Sequence, residues 1–137
     1  MVKLIVGGKG SGKSRRLVDD LNKQAENTEN NIICILRGDR LDKYVKFRVR
    51  MIDINQYPIN NYDELLAFIA GLNARDYDIT HIYIDSIAKV ARSEDQAELT
   101  RFLAALEGMS EEHHFEAEII YSCECEDVPE NLREYVK

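Results

Sequence analysis

Short, continuous apolar runs alternate along this chain with stretches of helical period, and this alternation constrains the fold more than any other feature. The runs cover residues 2–6, 31–36, 79–84 and 117–121, and residues 49–54 form a weaker strand segment in which apolar residues alternate with polar neighbours. Apolar strands separated by helices are typical of a parallel sheet that is covered on both faces. The sequence therefore predicts an α/β fold, a three-layer αβα arrangement around a mostly parallel central sheet.

Polar residues at fixed spacing predict where two of the longer helices begin. Asn61 with Glu64, and Ser93 with Gln96, have the spacing of a capping box. Gly108 is expected to end the second of these helices, because glycine readily adopts the left-handed conformation that follows many helices.

The composition is that of a globular domain rather than of a membrane-spanning or disordered chain. Of the 137 residues, 45% are hydrophobic and 31% are charged, and no apolar run approaches the roughly 18 residues that a membrane span needs. The first apolar run, residues 2–6, is too short for the core of a signal peptide. We therefore expect a single domain over residues 1–137, located in the cytoplasm and without membrane association.

Charge is unevenly distributed along the chain. Residues 1–60 contain 12 Lys and Arg against 7 Asp and Glu, whereas residues 61–137 contain 6 against 18. The basic first half provides a favourable field for an anionic ligand. The acidic second half argues against a broad nucleic-acid footprint, which needs a basic surface; a merely solvated acidic face explains it equally well. Nucleic acid is therefore not expected as a partner.

The three cysteines, Cys34, Cys123 and Cys125, have neither the even number of a disulfide framework nor the spacing of a metal site. Since all three lie in or beside apolar runs, we expect them to be small buried strand residues.

A glycine-rich loop separates the first predicted strand from a predicted helix over residues 13–25. The loop matches the pattern G-x-x-x-x-G-K-[ST], in the strand–loop–helix context that this pattern requires. Its glycines allow backbone N–H groups to point inward as an anion-binding nest, and the helix amino end adds partial positive charge. In this pattern the lysine reaches the β- and γ-phosphates and the serine hydroxyl coordinates Mg²⁺. The predicted phosphate-binding residues are Gly7, Gly8, Lys9, Gly10, Ser11, Gly12, Lys13 and Ser14.

Asp85 ends the apolar run 79–84, at the edge of the sheet where parallel α/β folds bind ligands. Residues 7–14 and residues 81–85, which read H-I-Y-I-D, resemble the Walker A and Walker B motifs of the P-loop NTPases. The resemblance implies catalytic roles for Lys13 and Asp85, and Mg²⁺ held by Ser14 and Asp85. A role of Asp85 as the cap of the next segment is the alternative.

The branch within that superfamily is indicated more weakly. One further strand is predicted after Asp85, which resembles the RecA-like branch, where a strand lies between the Walker A and Walker B strands. The segment 37–40, R-G-D-R, is similar to a thymidine kinase arrangement over four residues only.

The RecA-like branch carries a glutamate beside its Walker B aspartate, whereas Ser86 follows Asp85 here. Since general-base help contributes roughly 10²–10⁴-fold to a rate, we expect slow or partner-stimulated hydrolysis. Asp39, Asp53 and Glu124 follow other predicted strands and are candidate replacements, with turn or surface roles as the alternative.

The loop and the resemblance together predict an ATP-binding P-loop NTPase that uses Mg²⁺. Adenine is favoured because no guanine-reading N-K-x-D sequence occurs. A small nucleoside or metabolite kinase and a non-hydrolysing nucleotide-binding module are open alternatives. A protein partner or a homo-oligomer is expected from the resemblance to RecA-like proteins.

Overall fold

The computed structural model describes all 137 residues and contains one sheet of five strands. The strands are β1 (Val2–Gly7), β2 (Ile32–Leu36), β3 (Arg50–Asp53), β4 (His81–Ile84) and β5 (Glu116–Ser122). Their order across the sheet is β1-β5-β4-β2-β3, and every neighbouring pair is parallel. The predicted parallel central sheet is therefore confirmed.

Four α-helices cover the two faces of this sheet: α1 (Lys13–Gln24), α2 (Tyr62–Arg75), α3 (Ile87–Ala91) and α4 (Gln96–His113). The apolar face of α1 packs in one core with strand residues such as Ile5 and Ile120. The other three helices pack against the opposite face, where Leu4 and Ile119 lie in a second core. Successive strand residues thus enter opposite cores, and the three-layer αβα arrangement is confirmed. No helix has the length and apolar character needed to cross a bilayer.

The last strand in the sequence, β5, lies between β1 and β4, and this order determines what surrounds the glycine-rich loop. The register pairs Gly7 with Ser122 and Ile84 with Ile119. Since all strands are parallel, the segments that follow Gly7, Ile84 and Ser122 emerge at the same edge of the sheet.

The outer side of β1 is covered by the last residues of the chain. A 3₁₀ helix over Glu130–Tyr135 leads back to β1, where Leu4 and Val136 form a parallel bridge. The N–H of Lys137 donates to the carbonyl oxygen of Leu4 over 2.8 Å. The strand that precedes the glycine-rich loop is therefore hydrogen-bonded on both sides.

Asn61 caps α2 as predicted, since its side chain accepts the N–H of the third helical residue, but both predicted boundaries of α4 are wrong. Asp95, rather than Ser93, is the cap, and its carboxylate accepts two N–H groups of the first turn. The helix continues through Gly108, which is exposed, and ends at His113 with His114 in the left-handed conformation at φ 60°. An exposed glycine inside a long helix is tolerated at a cost of about 1 kcal/mol, so it does not have to end the helix.

The cysteines are only partly as predicted. Cys34 is buried in β2, whereas Cys123 is half-buried and Cys125 is exposed, both beyond the end of β5. The prediction of buried strand residues is therefore wrong for the last two.

A cluster of polar side chains interrupts the apolar packing between α1 and the sheet. Glu118 of β5 is only 7% exposed, and Nζ of Lys137 donates to its carboxylate over 2.5 Å. Oη of Tyr83 donates to the carboxylate of Asp20 in α1 over 2.7 Å. Burial and the hydrogen bond with Asp20 raise the pKa of Glu118 to about 7, against the opposing effect of the Lys137 ammonium. Glu118 therefore changes its charge near neutral pH in the folded protein.

Candidate functional site

The loop between β1 and α1 has a backbone that requires glycine. Gly10 and Gly12 have φ angles of 79° and 85°, in the left-handed region. A Cβ atom on Gly7 would overlap Oγ of Ser11, so close packing also excludes a side chain there. Lys9 is exposed on the loop. No side chain caps the amino end of α1, and its first N–H groups are therefore available to an external acceptor.

Lys13, the first residue of α1, folds back over this loop. Its side chain is largely covered, since the residue is only 9% exposed, and Nζ donates to the carbonyl oxygen of Gly8 over 2.7 Å. The ammonium group therefore lies beside the first residues of the loop, where it adds positive charge to the field of the backbone N–H groups.

Ser14 and Asp85 meet at the edge of the sheet although 71 positions separate them in the sequence. Oγ of Ser14 donates to Oδ1 of Asp85 over 3.1 Å, and Asp85 is almost fully buried at 1% exposure. A hydroxyl and a carboxylate are oxygen ligands of the kind that Mg²⁺ prefers, and one or two such groups with water and phosphate oxygens are its usual protein site. The two residues therefore fit a magnesium ion.

Arg40 forms an ion pair with the second carboxylate oxygen of Asp85, Oδ2. The Arg40 side chain is about half exposed, whereas that of Asp85 is fully covered. Since a buried carboxylate without a counter-charge is strongly unfavourable, the guanidinium group supplies that charge. The sequence drew attention to Arg40 only within the segment 37–40, and its pairing with Asp85 depends on a contact between two distant strand ends.

Ser86, which stands where a glutamate was expected from the RecA-like resemblance, has a left-handed backbone with φ 59°. It is the residue before α3 and makes no side-chain capping bond. A left-handed serine is uncommon and tends to occur where the surrounding structure imposes it. Here it turns the chain sharply between Asp85 and α3.

Two of the three candidate replacement carboxylates lie at or beyond the ends of β2 and β3, on the other side of β4 from the strand that leads into the glycine-rich loop. Oδ1 of Asp53 accepts the N–H groups of Gly38, over 2.8 Å, and Asn55, over 3.0 Å, so this carboxylate stabilises the turns after β2 and β3. Asp39 is exposed in the segment after β2.

Glu124, the third candidate, lies against the glycine-rich loop. Its carboxylate is so close to Gly8 that a Cβ atom on that glycine would overlap Oε1. The residue follows β5, whose end is paired with Gly7. The structure therefore brings together the loop, Lys13, Asp85 and one further carboxylate at a single edge of the sheet.

Neither a protein-family model nor a curated protein matches this sequence. Among solved structures, the chain is similar to the crystal structure of the KaiC-like protein PH0186 from the hyperthermophilic archaeon Pyrococcus horikoshii OT3. The TM-score is 0.71 at 20% sequence identity, over 96% of this chain and 67% of that chain. This likeness shows the fold: the chain has the RecA-like P-loop fold, with β5 between the strands that carry the loop and Asp85.

Proposed function

We propose that this chain is a Mg²⁺-dependent, ATP-binding P-loop NTPase whose hydrolysis is slow or stimulated by a partner. Residues 1–137 would form one nucleotide-binding domain, with the triphosphate held by the loop 7–14. The RecA-like fold of the KaiC-like protein supports nucleotide binding in general, and a homo-oligomer or a protein partner is part of the proposal on the same ground.

The observation that carries the proposal is the meeting of Ser14 and Asp85 beside a loop with two left-handed glycines. A loop of this shape by itself can be a tight turn. A buried carboxylate aimed at the first turn of the following helix is unfavourable unless a cation is held there. The Arg40 guanidinium supplies this cation in the ligand-free protein, and a Mg²⁺ ion at the same carboxylate, beside an anion on the loop, would supply it in the nucleotide complex.

Each residue of the site has a distinct task in this proposal. Backbone N–H groups of the loop and the amino end of α1 bind the β- and γ-phosphates. The Lys13 ammonium transfers from the Gly8 carbonyl to phosphate oxygens, where it stabilises charge on the transferred group. Ser14 and Asp85 would hold Mg²⁺, which when bound neutralises and orients the phosphate oxygens. Arg40 neutralises Asp85 when no other cation is present.

Intrinsic hydrolysis is proposed to be slow because Ser86, unlike the glutamate expected after Asp85, does not accept a proton from water near neutral pH, so a proton acceptor has to come from another part of the fold. Adenine is proposed as the base because the sequence contains no guanine-reading motif. The choice of base is tested by comparing the affinities for ATP and GTP. The speed of hydrolysis is tested by the rate of phosphate release from each nucleotide.

A small-molecule kinase is the second candidate, and a cavity of about 440 Å³ beside Ser14 favours it. Val18, Leu41 and Tyr44 provide its apolar lining, and its volume lies in the range of small-ligand pockets. Phosphate loss from ATP that depends on an added nucleoside would support this candidate over hydrolysis.

The proposed site is tested by measuring the affinity for labelled ATP in the presence of Mg²⁺. K13A is expected to weaken binding at least tenfold, because a charge-assisted hydrogen bond contributes about 1.5–3 kcal/mol. K23A is the matched control, since Lys23 is an exposed lysine in the last turn of the same helix. Equal affinity of K13A and K23A would contradict the site assignment.

A further inference from the structure

The end of β5 enters the space between the two motifs of the proposed site. Because β5 is hydrogen-bonded to β1 on one side and β4 on the other, the chain that leaves it emerges between the glycine-rich loop and Asp85. A side chain on this segment can therefore reach a phosphate group held by the loop and the water that would attack it.

Two anchors fix the segment that follows β5. The N–H of Cys123 donates to the carbonyl oxygen of Gly7 over 3.1 Å, which ties the segment directly to the start of the loop. Four residues beyond Glu124, Val128 is buried in the larger core at 3% exposure. Glu124 lies between these anchors, so its carboxylate is directed to the loop by the backbone on both sides.

The carboxylate of Glu124 lies at the end of the loop where the ammonium of Lys13 is found. Its Oε1 occupies the space that a side chain on Gly8 would need, and Nζ of Lys13 is bonded to the carbonyl oxygen of that same glycine. Because the lysine of this motif reaches the β- and γ-phosphates, we expect this end of the loop to lie beside the terminal phosphates.

Two of the other candidate carboxylates are already engaged, and the third, Asp39, follows β2, on the other side of β4 from the glycine-rich loop. Asp85 accepts Ser14 and is paired with Arg40, and Asp53 accepts two backbone N–H groups. Neither can take a proton from water without giving up these contacts, whereas the Glu124 side chain is exposed to solvent.

We propose that Glu124 is the carboxylate that activates water for hydrolysis, in place of the glutamate that does not follow Asp85. This inference rests on the proposed function. The oxygen of a water molecule forms a bond to the γ-phosphorus while the bond from that phosphorus to the β,γ-bridging oxygen breaks, and ADP leaves with the electron pair. The water proton passes to the Glu124 carboxylate and from there to solvent, which restores the carboxylate.

The test compares E124Q with E126Q, an exposed glutamate in the same turn. Phosphate release from Mg²⁺-ATP, affinity for labelled ATP and thermal melting are measured for each variant and for the unaltered chain. E124Q is expected to lower phosphate release about 10²–10⁴-fold, with an unchanged melting temperature and an affinity within about threefold, because the carboxylate acts on water rather than on phosphate. E126Q is expected to match the unaltered chain.

Other outcomes overturn the inference in distinguishable ways. Phosphate release by E124Q within tenfold of the unaltered chain, or a fall that follows an equal loss of ATP affinity, removes Glu124 from the water-activating role. An unaltered chain that binds ATP but releases no phosphate also overturns this role and leaves the nucleotide site standing. Failure to bind ATP at all rejects the proposed function itself.

The contact with Gly8 provides a second, independent measurement. In G8A the new methyl group would displace the Glu124 carboxylate, and the flexible end of that side chain can move without disturbing the fold. G8A is therefore expected to slow phosphate release much more in the unaltered background than in the E124A background. Equal slowing in both backgrounds would show that the contact between these residues has no part in the reaction.

Discussion

Glu118 gives the chain a pH-dependent stability that can be worked out from its surroundings. In the unfolded chain this carboxyl group has its ordinary pKa of 4.5, whereas burial and the hydrogen bond with Asp20 raise the pKa to about 7 in the folded protein. The folded state therefore binds this proton more tightly than the unfolded state. The resulting stabilisation is complete below pH 4.5 and is lost as the pH rises through 7.

The size of the effect follows from the same two pKa values. Each pKa unit is equivalent to about 1.4 kcal/mol, so the difference between 4.5 and about 7 corresponds to about 3 kcal/mol of unfolding free energy. The neighbouring Asp20 does not obscure this range. Although burial acts to raise its pKa, hydrogen bonds from Glu118 and Tyr83 lower it below 3.8, so its contribution is lost only in more acidic solution.

The assay is urea unfolding of the unaltered chain and of E118Q at pH 5, 6, 7 and 8. Glutamine cannot ionise, so the stability of E118Q relative to the unaltered chain should rise by about 2–3 kcal/mol between pH 5 and pH 8, since pH 5 already lies above the unfolded pKa of 4.5. The quantity compared is how the difference in unfolding free energy between the two proteins varies with pH. A constant loss of stability from the missing contact with Lys137 does not affect this variation. E112Q, on the exposed surface of α4, is the control and should show no such change.

The reasoning is refuted if the stability difference between E118Q and the unaltered chain varies by less than about 1 kcal/mol over this range. That result would mean that water or a rearrangement of α1 relieves the burial of the carboxylate. A shift in the opposite direction would mean that the Lys137 ammonium, rather than burial, controls the titration.

Three further predictions concern Arg40, Gly108 within α4 and His114 at the end of that helix. R40A is expected to lower the unfolding free energy of the ligand-free protein by about 1–2 kcal/mol, because Asp85 loses its counter-charge. The loss is only partial because Arg40 is half exposed, so water compensates in part. An unchanged urea midpoint would contradict this pairing. G108A is expected to raise the unfolding free energy by about 1 kcal/mol, since Gly108 is helical and a Cβ atom there meets nothing. H114G should also raise the unfolding free energy, since the φ of 60° at this position suits glycine. A lower melting temperature of G108A would instead indicate that the helix ends at Gly108.

The sequence was informative wherever structure depends on neighbouring residues. Four of the strands are apolar runs, and the edge strand β3 was predicted from its alternation of apolar and polar residues. The glycine-rich loop is a local pattern whose backbone conformation follows from its residues. The position of Asp85 was predictable because a residue that follows a strand of a parallel sheet lies at the edge where such folds bind ligands. Asn61 was found because a cap acts within one turn.

The contacts that depend on strand order were not predictable in this way. The pairing of Arg40 with Asp85 requires β2 to lie beside β4, and the contact of Glu124 with Gly8 requires β5 to lie beside β1; no periodicity encodes that order. Local choices between similar residues were also ambiguous. Ser93 and Asp95 are both good helix caps, and the five residues of α3 are too few to show a helical period.

The backbone of β1 has further consequences because it lies at the margin of the sheet, with β5 as its single partner strand. Through the bridge between Leu4 and Val136, the last residues of the chain act as a second neighbour of β1. Release of these residues would leave unpaired N–H and C=O groups along the edge of β1, where a strand of another molecule can pair with them. It would also remove the hydrogen bonds on one side of β1, the strand that leads into the glycine-rich loop, so release of the last residues is expected to loosen that loop.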